Sequence, residues 1–271
     1  MQLFVAFLRQ TDRNMNKTSM TMKKLMFLPF ACSLLLLASC KIELNGGRKI
    51  EPSATIVKNE YKLSAFDQID VDVIANVKFI QGGEGDYRVV LSCPDNYVEL
   101  FTFEVEKGKN ELEIEFIHDN VNIEAKDVDI TVYAPTLHKL ENSGVASVEI
   151  DRLKGDRLKV ENSGVGTLYL SGLQLADLEA ECSGVGNIEL SGEIGRAEFD
   201  CSGVGSIKAE SLKAKSVKAD VSGVGGISCF ASEDIDGDVS GVGSLKYGGN
   251  PHEKKLKRSG IGDISEIDLY Q

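Results

Sequence analysis

Tryptophan is missing from this 271-residue chain, and aromatic residues of any kind make up only 7% of it. A sugar-stacking platform is therefore poorly supported, and Tyr169 is the main aromatic side chain expected to face outward. Histidine occurs three times, as His118, His138 and His252. None falls in a metal-ligand spacing, so neither a zinc site nor a histidine-based catalytic motif is read. Cations are in deficit: 30 Lys and Arg stand against 42 Asp and Glu, a net charge of −12. Setting aside positions 1–39, with five basic side chains and one acidic, leaves a balance of −16. Such a surface disfavours nucleic acid and anionic lipid headgroups, and no nucleic-acid partner is expected. Helical periodicity is absent as well.

Glycine, by contrast, is plentiful, with 27 residues, and it recurs in a pattern. A tetrapeptide returns seven times: Ser143-Gly-Val-Ala, then Ser-Gly-Val-Gly from Ser163, Ser183, Ser202, Ser222 and Ser240, then Ser259-Gly-Ile-Gly. The serines thus return at a nearly constant period of about 20 residues, which marks a solenoid, in which each repeat buries its apolar face against the next. Five positions before the serine lie Leu158, Leu178, Ala197, Val217 and Ile235, and three before it Leu140, Val160, Ala180, Phe199 and Ala219. The side chains between are charged, which is the period-two alternation of a half-buried strand. A second apolar pair follows the serine, as in Leu168/Leu170, and a weaker third element carries Leu153, Leu173, Ile194 and Leu212. The glycines bend the chain, and Val165, Val185, Val204, Val224 and Val242 are expected to plug the corner of the core.

The fold class is therefore all-β: a right-handed parallel β-helix (β-solenoid) of about seven rungs, each of roughly 18–20 residues, with an irregular N-terminal β cap. The hand follows from the general rule for parallel crossovers. Seven rungs make a stub on the order of 30 Å long. Just before the serine the stack reads Asn142, Asn162, Cys182, Cys201, Val221, Val239, Arg258, so like residues sit on like in an in-register ladder.

Two columns bear on binding. Two positions before the serine stand Glu141, Glu161, Glu181, Asp200, Asp220 and Asp238, all expected to face outward. Lys139, Lys159 and Lys218 flank them at some rungs, whereas Glu179 and Glu198 take that place at two adjacent ones. The square Glu179, Glu181, Glu198, Asp200 is thus expected to lack a local cation and offers oxygen ligands to Ca²⁺. A plain solvated acidic face is the favoured reading, and no metal site and no cofactor are assigned. Cys182 and Cys201 should stack on adjacent rungs, as a buried thiol ladder in preference to a disulfide. Ser163 and its counterparts are read as local partners of the backbone at the bend, because a catalytic serine needs no seven copies. No catalytic residue is assigned.

Residues 1–39 read as a signal peptide of the lipoprotein type. Lys23 and Lys24 precede the apolar stretch Leu25–Leu37, which is too short for a comfortable membrane span. Leu37-Ala38-Ser39-Cys40 then resembles a bacterial lipobox, with Cys40 as the lipidation site and the bilayer as its partner. Met22 makes a better start than Met1. Residues 40–56 read as a lipidated tether, 57–135 as the N-terminal β cap region without the repeat, and 136–271 as the β-helix repeats.

Several stretches resemble one bacterial family. Phe66-Asp-Gln-Ile-Asp-Val, Val77-Lys-Phe-Ile-Gln-Gly, Leu112-Glu-Ile and Val132-Tyr-Ala-Pro-Thr-Leu-His-Lys-Leu-Glu-Asn-Ser-Gly, together with the Ser-Gly-Val-Gly ladder, look like the "putative auto-transporter adhesin, head GIN domain" family over about residues 60–265. The resemblance implies a β-helical envelope protein of the kind common among Bacteroides relatives, often a lipoprotein, and brings no catalytic residues. The function expected is a non-enzymatic outer-membrane lipoprotein, facing the periplasm or the cell surface, that acts as a β-helical scaffold or adhesin-like module for a protein or glycan ligand. The alternatives are a polysaccharide-acting β-helix enzyme or accessory, and a periplasmic sensor or stress protein.

Overall fold

A computed structural model describes residues 49–118 and 121–268. The signal peptide expected over 1–39, the lipidation site Cys40 and the start of the tether lie outside the described residues. Seven strands form the lower end: β1 (Ile56–Lys62), β2 (Gln68–Asp72), β3 (Ile74–Gln81), β4 (Arg88–Pro94), β5 (Phe101–Glu106), β6 (Glu111–Phe116) and β7 (Asp129–Ala134). Shorter strands follow, β8 (Lys139–Asn142), β9 (Val145–Ile150), β10 (Leu153–Lys154) and β11 (Arg157–Asn162). Four long ones come next, β12 (Val165–Cys182), β13 (Val185–Cys201), β14 (Val204–Val221) and β15 (Val224–Val239), before β16 (Ser244–Gly248), β17 (Glu253–Arg258) and β18 (Asp263–Glu266). Each of β12 to β15 runs through most of one coil and pairs in parallel with the coil above and the coil below. The result is an all-β solenoid of about six turns. No helix among the described residues is long and apolar enough to cross a membrane.

Alternation decides which side chains fill the coil. In β11, Leu158, Val160 and Asn162 are buried while Arg157, Lys159 and Glu161 point away. Stacking in register then turns each inward position into a column. One column reads Val148, Leu168, Ile188, Ile207, Ile227, Leu245, all of it buried. Another alternates in size, with Phe199 between Ala180 below and Ala219 above, so that one ring occupies the room two small neighbours leave. Burying such a ring contributes roughly 1.5–3 kcal/mol.

Two expectations are corrected here. The corner valines do not plug the core: Val165 is 47% exposed, Val185 55% and Val204 57%. Period-two alternation continues through the bend, so Val165 shares the outward parity of Ser163, and the two inward-parity positions are Gly164 and Gly166. Those positions have no room for a side chain. A Cβ on Gly164 would lie 2.1 Å from the carbonyl oxygen of Gly144 in the coil beneath, and one on Gly166, at φ +140°, only 1.9 Å from that of Ala146. The corner of the core is filled instead by the column just before the serine, where Asn142, Asn162, Cys182, Cys201 and Val239 are fully buried.

The second correction concerns the stretch read as free of repeats. Residues 68–81 are a solenoid coil: Ile69 pairs with Leu140 and Val71 with Asn142, then Ile74 with Val145 and Val77 with Val148. Its corner is Asp72-Val73-Ile74-Ala75. The pairings with the strands beneath stop at Asp72 and resume at Asn76. With no strand paired directly below, this corner accepts side chains and lacks the glycine mark. Order in space also departs from order in the chain. After β3 the chain descends through β4 and β5, returns as β6 and β7 beneath β2 and β3, and only then climbs to β8 and β9 above them.

Antiparallel pairings of β1 with β4, β4 with β7 and β5 with β6 close the lower end. From Lys49 onward the chain is bound there. The Ile50 amide donates to Asn122 O at 2.9 Å, and the hydroxyl of buried Tyr97 donates to Ile50 O at 2.7 Å. At the upper end, β17 presents Glu253-Lys-Lys-Leu-Lys-Arg with every residue exposed. Lysine-rich edges of this sort discourage pairing with another sheet.

Candidate functional site

The outward columns are the surfaces that the repeats build, and the acidic one is continuous. Glu141, Glu161, Glu181, Asp200, Asp220 and Asp238 stack in register, with Asp70 below them. Lysines reach along the stack to this column. Lys139 Nζ lies 2.6 Å from Glu141 and 3.2 Å from Glu161, and Lys159 lies 2.7 Å from Glu161 and 2.9 Å from Glu179. Lys218 lies 2.6 Å from Glu198 and 3.4 Å from Asp220. These partners hold all three ammonium groups above the ordinary lysine range, against the opposing effect of burial.

The four-carboxylate square is therefore not without cations, contrary to the expectation from sequence. Lys159 neutralises Glu179 from the coil below and Lys218 neutralises Glu198 from the coil above, because a lysine side chain spans one rung. Glu181 and Asp200 remain at the centre of a shallow depression of about 380 Å³ that Ser202 also lines. Burial pushes the Asp200 carboxyl above its usual range, partly offset by a hydrogen bond from Ser202. The two outer carboxylates of this open acidic depression are thus ion-paired at its edges.

Inside the corner, side-chain donors satisfy backbone acceptors in a repeated way. Asn162 Nδ2 donates to Gly166 O at 3.2 Å, and the thiols of Cys182 and Cys201 reach Gly186 O and Gly205 O at 3.5 and 3.4 Å. Asn142 Nδ2 donates to Asn162 Oδ1 at 2.8 Å, but the buried Asn142 Oδ1 accepts nothing among the described residues. Cys182 and Cys201 are stacked partners with free thiols. Hydrogen bonding with Cys201, together with burial, pushes the Cys182 thiol up. Burial also raises Cys93 to about 11 and Cys229 to about 12, which leaves these thiols unreactive at neutral pH. Ser163 Oγ bonds to Asn142 O at 3.4 Å and Ser143 Oγ to Asp70 Oδ1 at 2.8 Å, so both serve the bend. His138 Nδ1 sits 3.1 Å from Asp67 Oδ2, while His118 and His252 are exposed. The histidines lie on separate parts of the chain and form no common site.

Sequence reasoning missed one concavity. Three successive coils slip register at the same place, between Leu170 and Leu173, between Glu189 and Ser191, and between Ala209 and Lys213. Stacked irregularities dent the sheet, and the dent has a volume of about 300 Å³ lined by Tyr169, Ser171, Glu189, Ser191, Lys208 and Glu210, among others. Tyr169 stands 45% exposed at its rim. Tyr169, Glu189 and Lys208 are in-register neighbours, with Lys208 Nζ 2.8 Å from Glu189 Oε1. The one available signal was the uneven spacing of the serines, which shortens or lengthens a coil just where it bulges.

Stacked parallel coils whose outward residues fall into straight columns define a β-solenoid with flat, repetitive faces. The chain belongs to the family described as "Putative auto-transporter adhesin, head GIN domain", whose model matches residues 65–251. A solved "putative adhesin" of Bacteroides fragilis is 35% identical, with a TM-score of 0.76, and the match covers 80% of this chain and 100% of that one. Two more distant structures share the fold. A "putative lipid binding protein" of Parabacteroides distasonis is 22% identical with a TM-score of 0.65, covering 80% of this chain and 100% of that one. A "putative adhesin" of Parabacteroides merdae is 19% identical with a TM-score of 0.60, covering 81% and 99%. A comparison with curated proteins gives no match.

Proposed function

We propose that the protein is a non-enzymatic lipoprotein of the cell envelope, tethered to the outer membrane through an acylated Cys40, whose solenoid is a rigid adhesin-like binding module. The observation that carries this reading is the architecture itself. About six turns stack their outward residues in columns, in register apart from the slips that form the dent, and the near-constant spacing from Ser143 to Ser259 leaves no long loop between coils. A rigid surface of this kind loses little conformational freedom on binding. Family membership supports an envelope address, and the Leu-Ala-Ser-Cys run before the tether supports lipid attachment. The acidic balance favours protein or glycan ligands over nucleic acid.

Protease shaving of intact cells, followed by detection of the solenoid, tests the address. Loss of the protein is expected, with an adherence defect in a deletion strain. Full protection from protease, or unchanged adherence without the protein, overturns the adhesin reading. The companion variant Cys40→Ala should yield unacylated product released from the membrane; normal acylation and retention overturn the anchor.

A further inference from the structure

We infer that the dent beside Tyr169 is a binding site for a neutral carbohydrate, a hexose unit or short segment of a glycan chain. The inference rests on the adhesin-like reading for its role and on the geometry for its ligand. Three stacked register slips make a depression where a continuous parallel sheet would be flat. Its volume of about 300 Å³ lies at the small end of the range for small-molecule sites. At the rim, the exposed Tyr169 ring presents an apolar face, the surface against which the C–H face of a pyranose packs.

The polar groups select against other ligands. The hydroxyls of Tyr169, Ser191 and Ser211 make no hydrogen bond among the described residues, and neither does the Glu210 carboxylate. They remain available as donors and acceptors across the dent. An apolar ligand would bury them unpaired, at a cost. An anionic ligand meets two carboxylates, Glu189 and Glu210, against the single ammonium of Lys208, which is already engaged by Glu189 at 2.8 Å. A cationic ligand finds one carboxylate to pair with, Glu210, and leaves the three free hydroxyls and the tyrosine ring unused. An uncharged polyol with one apolar face satisfies the ring and the free hydroxyls together.

Saturation-transfer NMR on the full chain in zwitterionic detergent tests this, with cellobiose, lactose and N,N′-diacetylchitobiose as neutral probes and a uronic-acid disaccharide beside them. Transfer to at least one neutral probe is expected, weakened about tenfold in Tyr169→Ala and retained in Tyr169→Phe. Tyr169 is exposed, so neither change disturbs the core. Absence of transfer to every neutral probe, transfer unchanged by Tyr169→Ala, or transfer to the uronic acid alone overturns the proposal. Adherence of cells separates it from the broader reading. If the deletion strain loses adherence but no neutral probe binds, the sugar site falls and the adhesin reading stands. If a probe binds at Tyr169 and the deletion strain still adheres normally, the site stands and the adhesin reading falls.

Discussion

Replacing Gly184 by alanine puts a methyl carbon 2.1 Å from the carbonyl oxygen of Gly164 and 2.4 Å from that of Ser163. Both are backbone atoms of the coil beneath and cannot swing aside as a flexible side chain would. An ordinary contact begins near 3.4 Å, so the two coils must part by on the order of 1 Å against a stacking distance of about 4.8 Å. Three hydrogen bonds cross that gap: Ser183 N and Gly184 N to Asn162 O at 3.1 and 2.9 Å, and Val185 N to Gly164 O at 2.9 Å. Overpacking together with weakened bonds costs roughly 3 kcal/mol or more. For a domain of this size, that is a fall of about 6–12 °C in the melting temperature. Circular dichroism melts of wild type, Gly184→Ala and Val185→Asp provide the comparison. Val185 is 55% exposed, so even an aspartate there should cost no more than about 1 kcal/mol. A Gly184→Ala protein that melts with the wild type, or a Val185→Asp protein that melts far below it, refutes the argument that the corner glycines are enforced from beneath while the corner valines face water.

Three other outcomes follow from the same structure. Asn162→Val should destabilise by about 1–3 kcal/mol, because buried Asn142 and the Gly166 carbonyl both lose a partner, whereas the double change Asn142→Val/Asn162→Val should cost less than the single one, since only the Gly166 carbonyl then stays unpaired; additive losses in a denaturant cycle would count against the ladder. Burial raises the Asp200 carboxyl above its unfolded value, so its ionisation opposes folding: the cost is absent below about pH 4 and sets in as pH rises through the folded pKa. Asp200→Asn should accordingly raise the melting temperature at neutral pH with the gain vanishing near pH 4, and an equal gain at both would sink the assignment. Replacing Lys254, Lys255 and Lys257 by threonine should turn the upper edge strand into a template for association, visible as concentration-dependent growth in light scattering; a variant as monodisperse as the wild type would show that edge to be protected by something else.

Seven serine-anchored tetrapeptides at nearly even spacing were enough to establish stacked coils, and alternation in segments such as Leu158 to Asn162 was enough to assign inside and outside. These are local signals: period, parity and glycine positions belong to the chain itself, and a solenoid brings together residues already related by one repeat. Tertiary structure decided whatever depended on the neighbouring coil. Whether a corner needs glycine depends on what lies beneath it, which is why the coil at 68–81 carries Asp72-Val73-Ile74-Ala75 and passed unrecognised. The charge state of the Glu179–Asp200 square depended on the reach of Lys159 and Lys218 from adjacent rungs. The dent at Tyr169 exists only because three register slips fall one above another, and a slip becomes a cavity through the alignment of separate coils, a relation that no single stretch of sequence contains.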